Sequence, residues 1–370
     1  MKLIAQVRLY PTKEQYAALR QTLEVANAAC NYISGRAWET KTFKRYPLQS
    51  LTYYEVRERF GLTAQIVIRC LAKVADAYRL DTKTQRAFRP LGSIAYDDRI
   101  LSWYTDRNAV SIWTVNGREH IPYGAGERQR ELLQYRQGET DVVYWGGMFF
   151  LLAVCDIPDP DERDVEGALG VDLGLTNIAA DSDGNFHTSE PVERSRARMQ
   201  NLRSDLQKCG TRSAKRHLKR LAGRQRRFQK DINHQISKRL VATAQRTNRA
   251  IALEDLTGIR ARTRARGADQ RARHSNWAFA QLRTFIEYKA RMAGIPVILV
   301  DPRHTSQQCS CCGFVDKRNR RSQSEFLCLS CGHADHADTN AAKNHASRAA
   351  CQPAYRSARS GGQLQAPGLM

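Results

Sequence analysis

The sequence predicts a β-barrel-like module with helices inserted after its first strand, followed by an α/β domain. Three observations lead to this fold class. Residues 1–157 show one strand pattern, then helical periodicity, then several short strand patterns. Later in the chain the order is strand, hairpin, helices, strand, helix and strand, which is typical of α/β domains. The polar, proline-rich segment 158–167 lies between the two and predicts a domain boundary.

The first module begins with a strand in which apolar and polar residues alternate over the first nine positions. Pro11 ends this strand, and Thr12 with Gln15 forms a capping-box pattern that begins a helix. Helical periodicity then continues to residue 88. Between residues 94 and 157 the pattern changes to short runs rich in β-branched and aromatic residues, separated by glycine-containing turns. This segment therefore predicts strands and hairpins.

The second domain begins with an apolar strand over residues 168–174 and a hairpin with an Asp-Gly turn at Gly184. Two long amphipathic helices are predicted over residues 190–248, with a break at Gly210. The elements predicted after them are a strand at 250–253, an arginine-rich loop at 258–274, a helix at 276–293 and a strand at 297–300. Periodicity stops after Asn344, so residues 346–370 are predicted to be a disordered tail.

Positive charge is concentrated in one part of the chain. The 370 residues include 59 basic and 37 acidic side chains, a formal net charge of +22. Residues 194–273 alone hold 24 basic and five acidic residues, a net charge of +19, whereas residues 171–193 hold five acids and no lysine or arginine. Like charges at helical spacing repel one another, which favours a polyanionic partner. This excess of positive charge in a chain of 370 residues excludes a small disulfide scaffold and an ordinary small-molecule enzyme. It favours nucleic acid over a membrane surface as the polyanionic partner.

Candidate nucleic-acid contacts lie on the basic helices and in the arginine-rich loop. They are Arg220, Arg224, Arg227, Lys230, Arg262 and Arg264. The first residues show no signal-peptide pattern, and no run of about 18 apolar residues occurs. The sequence therefore predicts a cytoplasmic location and no membrane partner.

Five of the ten cysteines lie between Cys309 and Cys331 and form the pattern C-x2-C-x15-C-x2-C. Two such pairs, each followed by a glycine, form the knuckles that tetrahedral zinc requires. The pattern predicts one structural Zn²⁺ ion with four thiolate ligands, which are Cys309, Cys312, Cys328 and Cys331. Cys311 is the spare thiol, and a shift to Cys311 or the use of His304 or His333 stays open.

Three acidic residues stand at strand ends or at a helix start in this otherwise basic protein. Asp172 lies in an apolar strand, where a buried acid is costly unless it is paired or bound to a metal ion. Glu254 ends a second apolar strand, and Asp338 begins a helix after the cysteine pattern. Mg²⁺ prefers oxygen ligands, and two such ions about 3.5–4 Å apart can drive phosphodiester hydrolysis. The acids are candidate metal ligands, although their spacing alone does not bring them together.

The order of these motifs resembles that of the TnpB family, the RNA-guided nucleases of bacterial insertion sequences and relatives of the type V CRISPR effectors. Four segments look like the three RuvC segments and the interposed zinc ribbon of that family: Gly-Val-Asp172-Leu-Gly-Leu-Thr-Asn, Ile-Ala-Leu-Glu254-Asp-Leu, His304-Thr-Ser-Gln-Gln-Cys-Ser-Cys-Cys-Gly and Asp338-Thr-Asn-Ala-Ala. The resemblance extends to the segments that begin at Arg8 and at Trp277. It covers most of residues 1–345 and is weak between about 40 and 165.

The resemblance implies an RNase H-like (RuvC) nuclease domain with an inserted zinc ribbon, preceded by a wedge-type β-barrel with a helical recognition insertion. The implied domains are the barrel at 1–11 and 89–165, the recognition lobe at 12–88, the nuclease domain at 166–303 and 334–345 with its basic hairpin at 190–248, the zinc ribbon at 304–333 and the tail at 346–370. Asp172, Glu254 and Asp338 would be catalytic and would bind two Mg²⁺ ions. Asp335 and Asp255 stay open as competing or supplementary ligands. Alternation favours Glu254 over Asp255 only if Ala252 and Glu254 face the cleft.

The function implied by the resemblance is that of an RNA-guided DNA endonuclease in a prokaryotic cell, associated with the nucleoid when bound. A guide RNA from the transposon end would pair with double-stranded target DNA beside a short motif that the protein recognises. The acidic site would cut the displaced single strand and then the target strand. The alternatives are a nuclease-inactive RNA-guided DNA-binding regulator, a miniature type V CRISPR effector and a DNA-binding transposition accessory protein.

Overall fold

A computed structural model describes residues 1–174, 176–255 and 279–352 of the chain. The chain divides into two compact units, Met1–Pro158 and Asp159–Met370. The strands are β1 (Lys2–Leu9), β2 (Ile94–Tyr96), β3 (Leu101–Tyr104), β4 (Ala109–Thr114), β5 (Gly117–Gly124), β6 (Arg136–Trp145), β7 (Met148–Asp156), β8 (Gly167–Asp172), β9 (Asn177–Asp181), β10 (Phe186–Thr188), β11 (Arg249–Glu254), β12 (Val297–Val300), β13 (Glu325–Leu327) and β14 (Ala334–His336). The helices are α1 (Lys13–Thr40), α2 (Arg45–Phe60), α3 (Ala64–Leu80), α4 (Glu127–Leu133), α5 (Glu190–Cys209), α6 (Arg212–Arg246), α7 (Phe279–Met292) and α8 (Ala337–Ala350).

The first unit is built around a seven-stranded antiparallel sheet in the order β2-β6-β7-β1-β5-β4-β3. β1 lies in its centre and pairs with β7 along most of its length. The two edge strands, β2 and β3, are separated in the chain only by residues 97–100, so the sheet curls into a nearly closed barrel. Side chains such as Val7 and Leu151 form the buried core. The prediction of a barrel-like module is confirmed.

Helices α1 to α3 follow β1 and precede β2, as the sequence predicted. α1 begins at the predicted capping box: Thr12 Oγ1 accepts a hydrogen bond from the backbone N–H of Gln15 at 3.3 Å, and Gln15 Oε1 accepts one from the backbone N–H of Thr12 at 3.1 Å. Helix α4, which interrupts the strand region, was not predicted. It has seven residues, and only Leu132 and Leu133 are buried, so it is too short to show helical periodicity.

The second unit contains a five-stranded sheet in the order β10-β9-β8-β11-β12. β8 is antiparallel to β9 and parallel to β11, and β11 is parallel to β12. Helices α6 and α7 cover one face, where their apolar side chains form a cluster with Val171 and Leu253. Helix α8 packs on the other face, where Ala252 and Ala349 are buried together. The predicted α/β order of elements is present.

The backbones of β8 and α8 approach each other so closely that Gly170 has no room for a side chain. An ideal Cβ at Gly170 would lie 1.8 Å from the carbonyl oxygen of Ala342 and 2.8 Å from the backbone nitrogen of Ala346. A glycine in a strand often marks such a close backbone approach. This contact fixes the helix that carries Asp338 against the strand that carries Asp172.

Two sequence predictions about the ends of helices need correction or completion. α8 continues to Ala350, and Ala349 is buried, so the prediction of a disordered tail from residue 346 is wrong for residues 346–350. The small residues of this last turn pack on the sheet without an apolar periodicity that sequence reasoning could detect. Residues 353–370 lie outside the described part of the chain. α7 was predicted from residue 276, and residues 276–278 also lie outside it.

Helices α5 and α6 form the predicted basic hairpin. Gly210 separates them and has a φ of 62°, in the left-handed region that favours glycine at a helix end. α5 has no buried residue, and the buried residues of α6 lie mainly between Asn233 and Ala244. The hairpin therefore exposes most of its basic surface. Among the residues that the structure describes, no helix combines the length and the apolar character needed to cross a membrane.

Candidate active site and cysteine cluster

Two of the predicted acids lie side by side at one edge of the second sheet. Asp172 is the last residue of β8, and Glu254 is the last residue of β11. These strands are parallel neighbours with Leu253 opposite Val171, so each acid directly follows a paired position. The carboxyl ends of parallel strands are the usual place for ligand sites in open α/β sheets.

Glu254 lies on the sheet face that α8 covers. Side chains alternate along a strand, and Ala252 belongs to the cluster on that face, whereas Leu253 belongs to the cluster under α6 and α7. Glu254 therefore shares the face of Ala252. The alternation of side chains along β11 therefore favours Glu254 over Asp255 as a candidate metal ligand.

Helix α8 brings a histidine to these acids. Asp172 shares the face of Gly170, which contacts α8. His345 of α8 is fully buried, and its Nδ1 lies 3.1 Å from the carbonyl oxygen of Val171. One ligand atom each from Asp172, Glu254 and His345 lie within 4.8 Å of one another. The structure thus brings together two predicted acids and one residue that was not predicted.

Asp338 lies beside this group, near the start of α8. Its side chain is buried, and its Oδ2 accepts a hydrogen bond from Asn177 Nδ2 at 2.9 Å. Its Oδ1 lies 3.4 Å from Nη2 of Arg320, which comes from the segment between the two cysteine pairs. Asn177 and Arg320 therefore orient the Asp338 carboxylate next to Asp172.

The two competing acids have other partners. Asp335 Oδ2 lies 2.7 Å from Nζ of Lys343. Asp255 Oδ1 lies 3.1 Å from Nη1 of Arg283. Within the described residues, neither acid belongs to the group that could hold a metal ion.

Burial and mutual repulsion change the protonation of the acidic site. Burial, together with the charge of the neighbouring Asp338 carboxylate, raises the pKa of Asp172 to about 7, while Arg320 opposes the shift. Burial and the charge of Asp172 raise the pKa of Glu254 to about 8. Burial lowers the pKa of His345 to about 4, which keeps its imidazole neutral. A divalent cation would favour the ionised carboxylates, so the donor set fits a cation site.

Four cysteines form a second cluster in the same unit. Their Sγ atoms all lie within 4.8 Å of one another, and the members are Cys309, Cys312, Cys328 and Cys331. The Cys309 and Cys331 sulfurs are 3.7 Å apart, and the Cys312 and Cys328 sulfurs are 3.6 Å apart. Cys311 is exposed and lies outside the cluster. This arrangement could hold one tetrahedral metal ion.

The two cysteine pairs have the same backbone turn. The N–H of Gly313 donates to the carbonyl of Cys309 at 2.9 Å, and the N–H of Gly332 donates to the carbonyl of Cys328 at 3.1 Å. Both glycines have positive φ angles, 78° and 73°, which glycine adopts without strain. The glycine after each pair thus lets the chain turn around a common centre.

Two buried asparagines of α8 anchor the first cysteine pair. Asn340 Nδ2 donates to the carbonyl of Gln308 at 2.8 Å, and its Oδ1 accepts from the N–H of Ser310 at 2.9 Å. Asn344, one turn later, donates to the carbonyls of Thr305 and Gln308 at 2.9 and 2.7 Å. The helix that contributes to the acidic site therefore also supports the cysteine cluster.

Sequence reasoning missed His345, Arg320 and Asn177. His345 follows Asp338 by seven residues, about two helical turns, so helical periodicity could have placed both on one face. Arg320 lies 18 residues before Asp338 in an irregular segment, and no pattern marks their contact. Asn177 contacts Asp338 only because β9 lies beside β8.

The predicted nucleic-acid contacts divide between described and undescribed residues. Four of them lie on the exposed surface of α6 and form no ion pair with any described residue: Arg220, Arg224, Arg227 and Lys230. They follow one another at intervals of three or four residues, so they share one side of the helix. Arg262 and Arg264 lie outside the described residues.

The fold and the site define an α/β protein with an acidic group that could hold a cation at the carboxyl ends of its parallel strands, and with a four-cysteine cluster in the segment that precedes α8. Family models match two parts of this chain. A model described as probable transposase matches residues 153–258, and a model described as Cas12f1-like, TNB domain, matches residues 279–345.

Relatives among curated proteins agree with these matches. The chain is 42% identical to a CRISPR-associated endodeoxyribonuclease Cas12f1 of Sulfoacidibacillus thermotolerans, over 32% of this chain and 26% of that protein. It is 37% identical to a TnpB-like protein of Methanocaldococcus jannaschii, over 31% of this chain and 40% of that protein. It is 27% identical to a candidate RNA-guided DNA endonuclease of Streptomyces pristinaespiralis, over 91% of this chain and 87% of that protein. The predicted resemblance to the TnpB family is confirmed: the chain is similar in sequence to TnpB-like and Cas12f proteins.

Solved structures support the same architecture. The chain in a Cas12f1–sgRNA–target DNA complex matches with a TM-score of 0.60 and 15% identity, over 90% of this chain and 83% of that chain. The mini-RNA-guided endonuclease CRISPR-Cas_phi3 matches with a TM-score of 0.54 and 10% identity, over 99% of this chain and 94% of that chain. The fold is therefore shared with these proteins. The match covers less than half the length of the Sulfoacidibacillus and Methanocaldococcus relatives.

Proposed function

We propose that the chain is an RNA-guided DNA endonuclease whose guide RNA pairs with target DNA beside a short motif that the protein recognises. The observation that carries this proposal is the convergence of Asp172 and Glu254 at the ends of parallel strands, with Asp338 beside them. Relatives named as endodeoxyribonucleases support it. Base pairing supplies the sequence specificity, so the protein needs mainly phosphate contacts and a cutting site.

The second unit is proposed to contain an RNase H-like (RuvC) nuclease domain with an inserted zinc ribbon. Its sheet order and the position of the cysteine segment between β12 and α8 support this assignment. The first unit is proposed to be the wedge-type barrel with its helical recognition lobe, because α1 to α3 are inserted between β1 and β2. The proposed boundaries are 1–11 and 89–165 for the barrel, 12–88 for the lobe, 166–303 and 334–345 for the nuclease domain and 304–333 for the ribbon.

Asp172, Glu254 and Asp338 are proposed to hold two Mg²⁺ ions. Their carboxylate oxygens are ligands that Mg²⁺ prefers. Burial and neighbouring carboxylates raise the pKa values of Asp172 and Glu254, and a bound cation would favour the ionised form of both side chains. The chemistry that bound Mg²⁺ supplies is activation of a water molecule and stabilisation of the leaving oxygen. Asn177 and Arg320 hold the Asp338 carboxylate in place for this role.

The exposed cations of α6 are proposed to contact phosphates of the guide RNA and of the RNA–DNA heteroduplex. These are Arg220, Arg224, Arg227 and Lys230, together with Arg262 and Arg264 of the arginine-rich segment that lies outside the described residues. Such contacts bind any sequence and weaken as salt rises. The DNA partners are the double-stranded target and its displaced single strand.

The four-cysteine cluster is proposed to bind one structural Zn²⁺ ion. Four thiolates leave no open coordination position for catalysis, so the ion would stabilise the fold. Asn340 and Asn344 link the cluster to α8, and loss of zinc would therefore loosen the support of that helix.

Replacing Cys312 with serine is expected to abolish stoichiometric zinc binding, because three thiolates and a hydroxyl form a much weaker site. The matched control is Cys311→Ser, which changes the neighbouring exposed cysteine and should retain one zinc ion per chain. Metal analysis of the purified proteins measures both. Zinc retained by Cys312→Ser and lost by Cys311→Ser would shift the ligand set to Cys311.

Expression together with the native flanking DNA tests the proposed function. The purified protein should carry RNase-sensitive RNA and should linearise a plasmid that matches the guide, but not one with a mismatched target. Guided binding without cleavage would instead support the nuclease-inactive regulator. Absence of bound RNA would support a transposition accessory protein.

A further inference from the structure

We propose that His345 is a nitrogen ligand of the divalent cation held by Asp172 and Glu254, so that this site binds first-row transition-metal ions more tightly than Mg²⁺. The inference deepens the proposed function and rests on it only in assuming that the acidic group binds a cation. It requires neither a guide RNA nor DNA cleavage.

The position of His345 suits a metal ligand. Its ring is fully buried, and one ligand atom of the ring lies within 4.8 Å of carboxylate oxygens of both Asp172 and Glu254. Two donors on opposite sides of one ion, each with a bond of about 2.1 Å, lie about 4.2 Å apart. The three side chains therefore need only small movements to share an ion.

The orientation of the ring is set from β8. Nδ1 of His345 lies 3.1 Å from the carbonyl oxygen of Val171, which can only accept a hydrogen bond, so Nδ1 carries the proton. Nε2 consequently keeps a free lone pair. A metal-binding histidine usually donates its other N–H to a carbonyl or carboxylate in this manner. Val171 directly precedes Asp172, so the end of β8 supplies one proposed ligand, Asp172, and orients another, His345.

Nε2 of His345 has no hydrogen-bond partner among the described residues. A buried polar atom left unsatisfied costs about 1–3 kcal/mol, so a histidine kept only for packing would be a poor choice at this position. Coordination of a cation would remove that cost. The two histidines just before α8 lie outside this group: Nδ1 of His336 accepts the N–H of Asp338, and Nε2 of His333, which also lacks a hydrogen-bond partner among the described residues, lies 3.7 Å from Asp335 Oδ2.

A nitrogen ligand changes the metal preference of the site. Mg²⁺ favours sites made of oxygen ligands, whereas imidazole binds first-row transition-metal ions well. A site made of Asp172 and Glu254 alone would show little preference. The addition of His345 should therefore tighten Mn²⁺ binding more than Mg²⁺ binding.

Pulsed electron paramagnetic resonance of Mn²⁺ bound to the zinc-loaded full chain tests the inference directly. The wild type should show coupling of Mn²⁺ to a ¹⁴N nucleus, and this signal should change to a ¹⁵N pattern when histidine is labelled. This measurement needs no variant, so it stands even if a substitution disturbs folding. Absence of a histidine nitrogen signal in the wild type would overturn the inference.

His345→Gln and a matched control assign the nitrogen. Gln offers an amide oxygen at similar reach, so this variant should lose the nitrogen coupling and bind Mn²⁺ at least about 10-fold more weakly, with a smaller change for Mg²⁺. His120→Gln changes an exposed histidine of the first unit and should leave both properties unchanged. A nitrogen signal that persists in His345→Gln would overturn the inference. Guided cleavage is assayed separately, so its failure would affect the proposed function and leave these results intact.

Discussion

Replacing Asp172 with alanine is expected to lower the rate of guide-directed plasmid cleavage by about 10³-fold or more, while RNA and DNA stay bound. The substitution removes a carboxylate that lies with Glu254 and beside Asp338 at the end of β8. Metal ions contribute several kcal/mol to stabilising a transition state, and each 1.36 kcal/mol corresponds to a tenfold rate. Binding should persist because the proposed phosphate contacts are the exposed cations of α6, which lie on another element.

The rate is measured by linearisation of a supercoiled plasmid, and binding by gel shift with labelled target DNA. The matched controls are Asp335→Asn and Asp255→Asn, which remove acids that are paired with Lys343 and Arg283. Both controls should cleave at close to the wild-type rate. Metal-dependent cleavage by Asp172→Ala at the wild-type rate would refute the assignment. A loss of cleavage confined to Asp335→Asn would instead identify Asp335 as the essential acid.

Most secondary structure could be predicted because its signals are local. The alternation before Pro11, the capping box at Thr12 and the break at Gly210 each depend on a few neighbouring residues, and the structure has the corresponding strand, helix start and helix end. Helix α4 and the last turn of α8 were not predicted because they lack such a local signal. Their stability comes from packing with distant segments, and their own residues show no clear period.

The candidate site could be predicted only in part. Asp172, Glu254 and Asp338 are recognisable one at a time as acids at strand ends or helix starts, but their proximity depends on the parallel register of β8 with β11. It also depends on the packing of α8 on β8. Helical periodicity places His345 on the face of Asp338, but its contact with Asp172 and Glu254, like the contact of Arg320 with Asp338, depends on that tertiary arrangement.

Replacing Gly170 with alanine is expected to destabilise the second unit by at least about 3 kcal/mol, the upper end of the usual cost of overpacking. A Cβ at this position would lie 1.8 Å from the carbonyl oxygen of Ala342. The obstructing atom belongs to the backbone, so no side-chain rotation relieves the contact and α8 must move away from β8. This movement carries His345 and Asp338 away from Asp172, so cation affinity and cleavage should fall together. Hydrogen exchange of the β8 and α8 amides, with urea unfolding, measures the loss of stability.

Gly167→Ala is the matched control because it makes the same chemical change on the same strand. A Cβ at Gly167 would lie 3.8 Å from the nearest atoms of the Arg249 side chain, an ordinary van der Waals distance. Both substitutions reduce the conformational freedom of the unfolded chain equally, so the difference between them isolates the contact of β8 with α8. Ala342→Gly should not rescue Gly170→Ala, since it leaves the carbonyl oxygen in place. Equal unfolding free energies for Gly170→Ala and Gly167→Ala would mean that α8 does not lie this close to β8, and the grouping of His345 with Asp172 would then lose its structural basis.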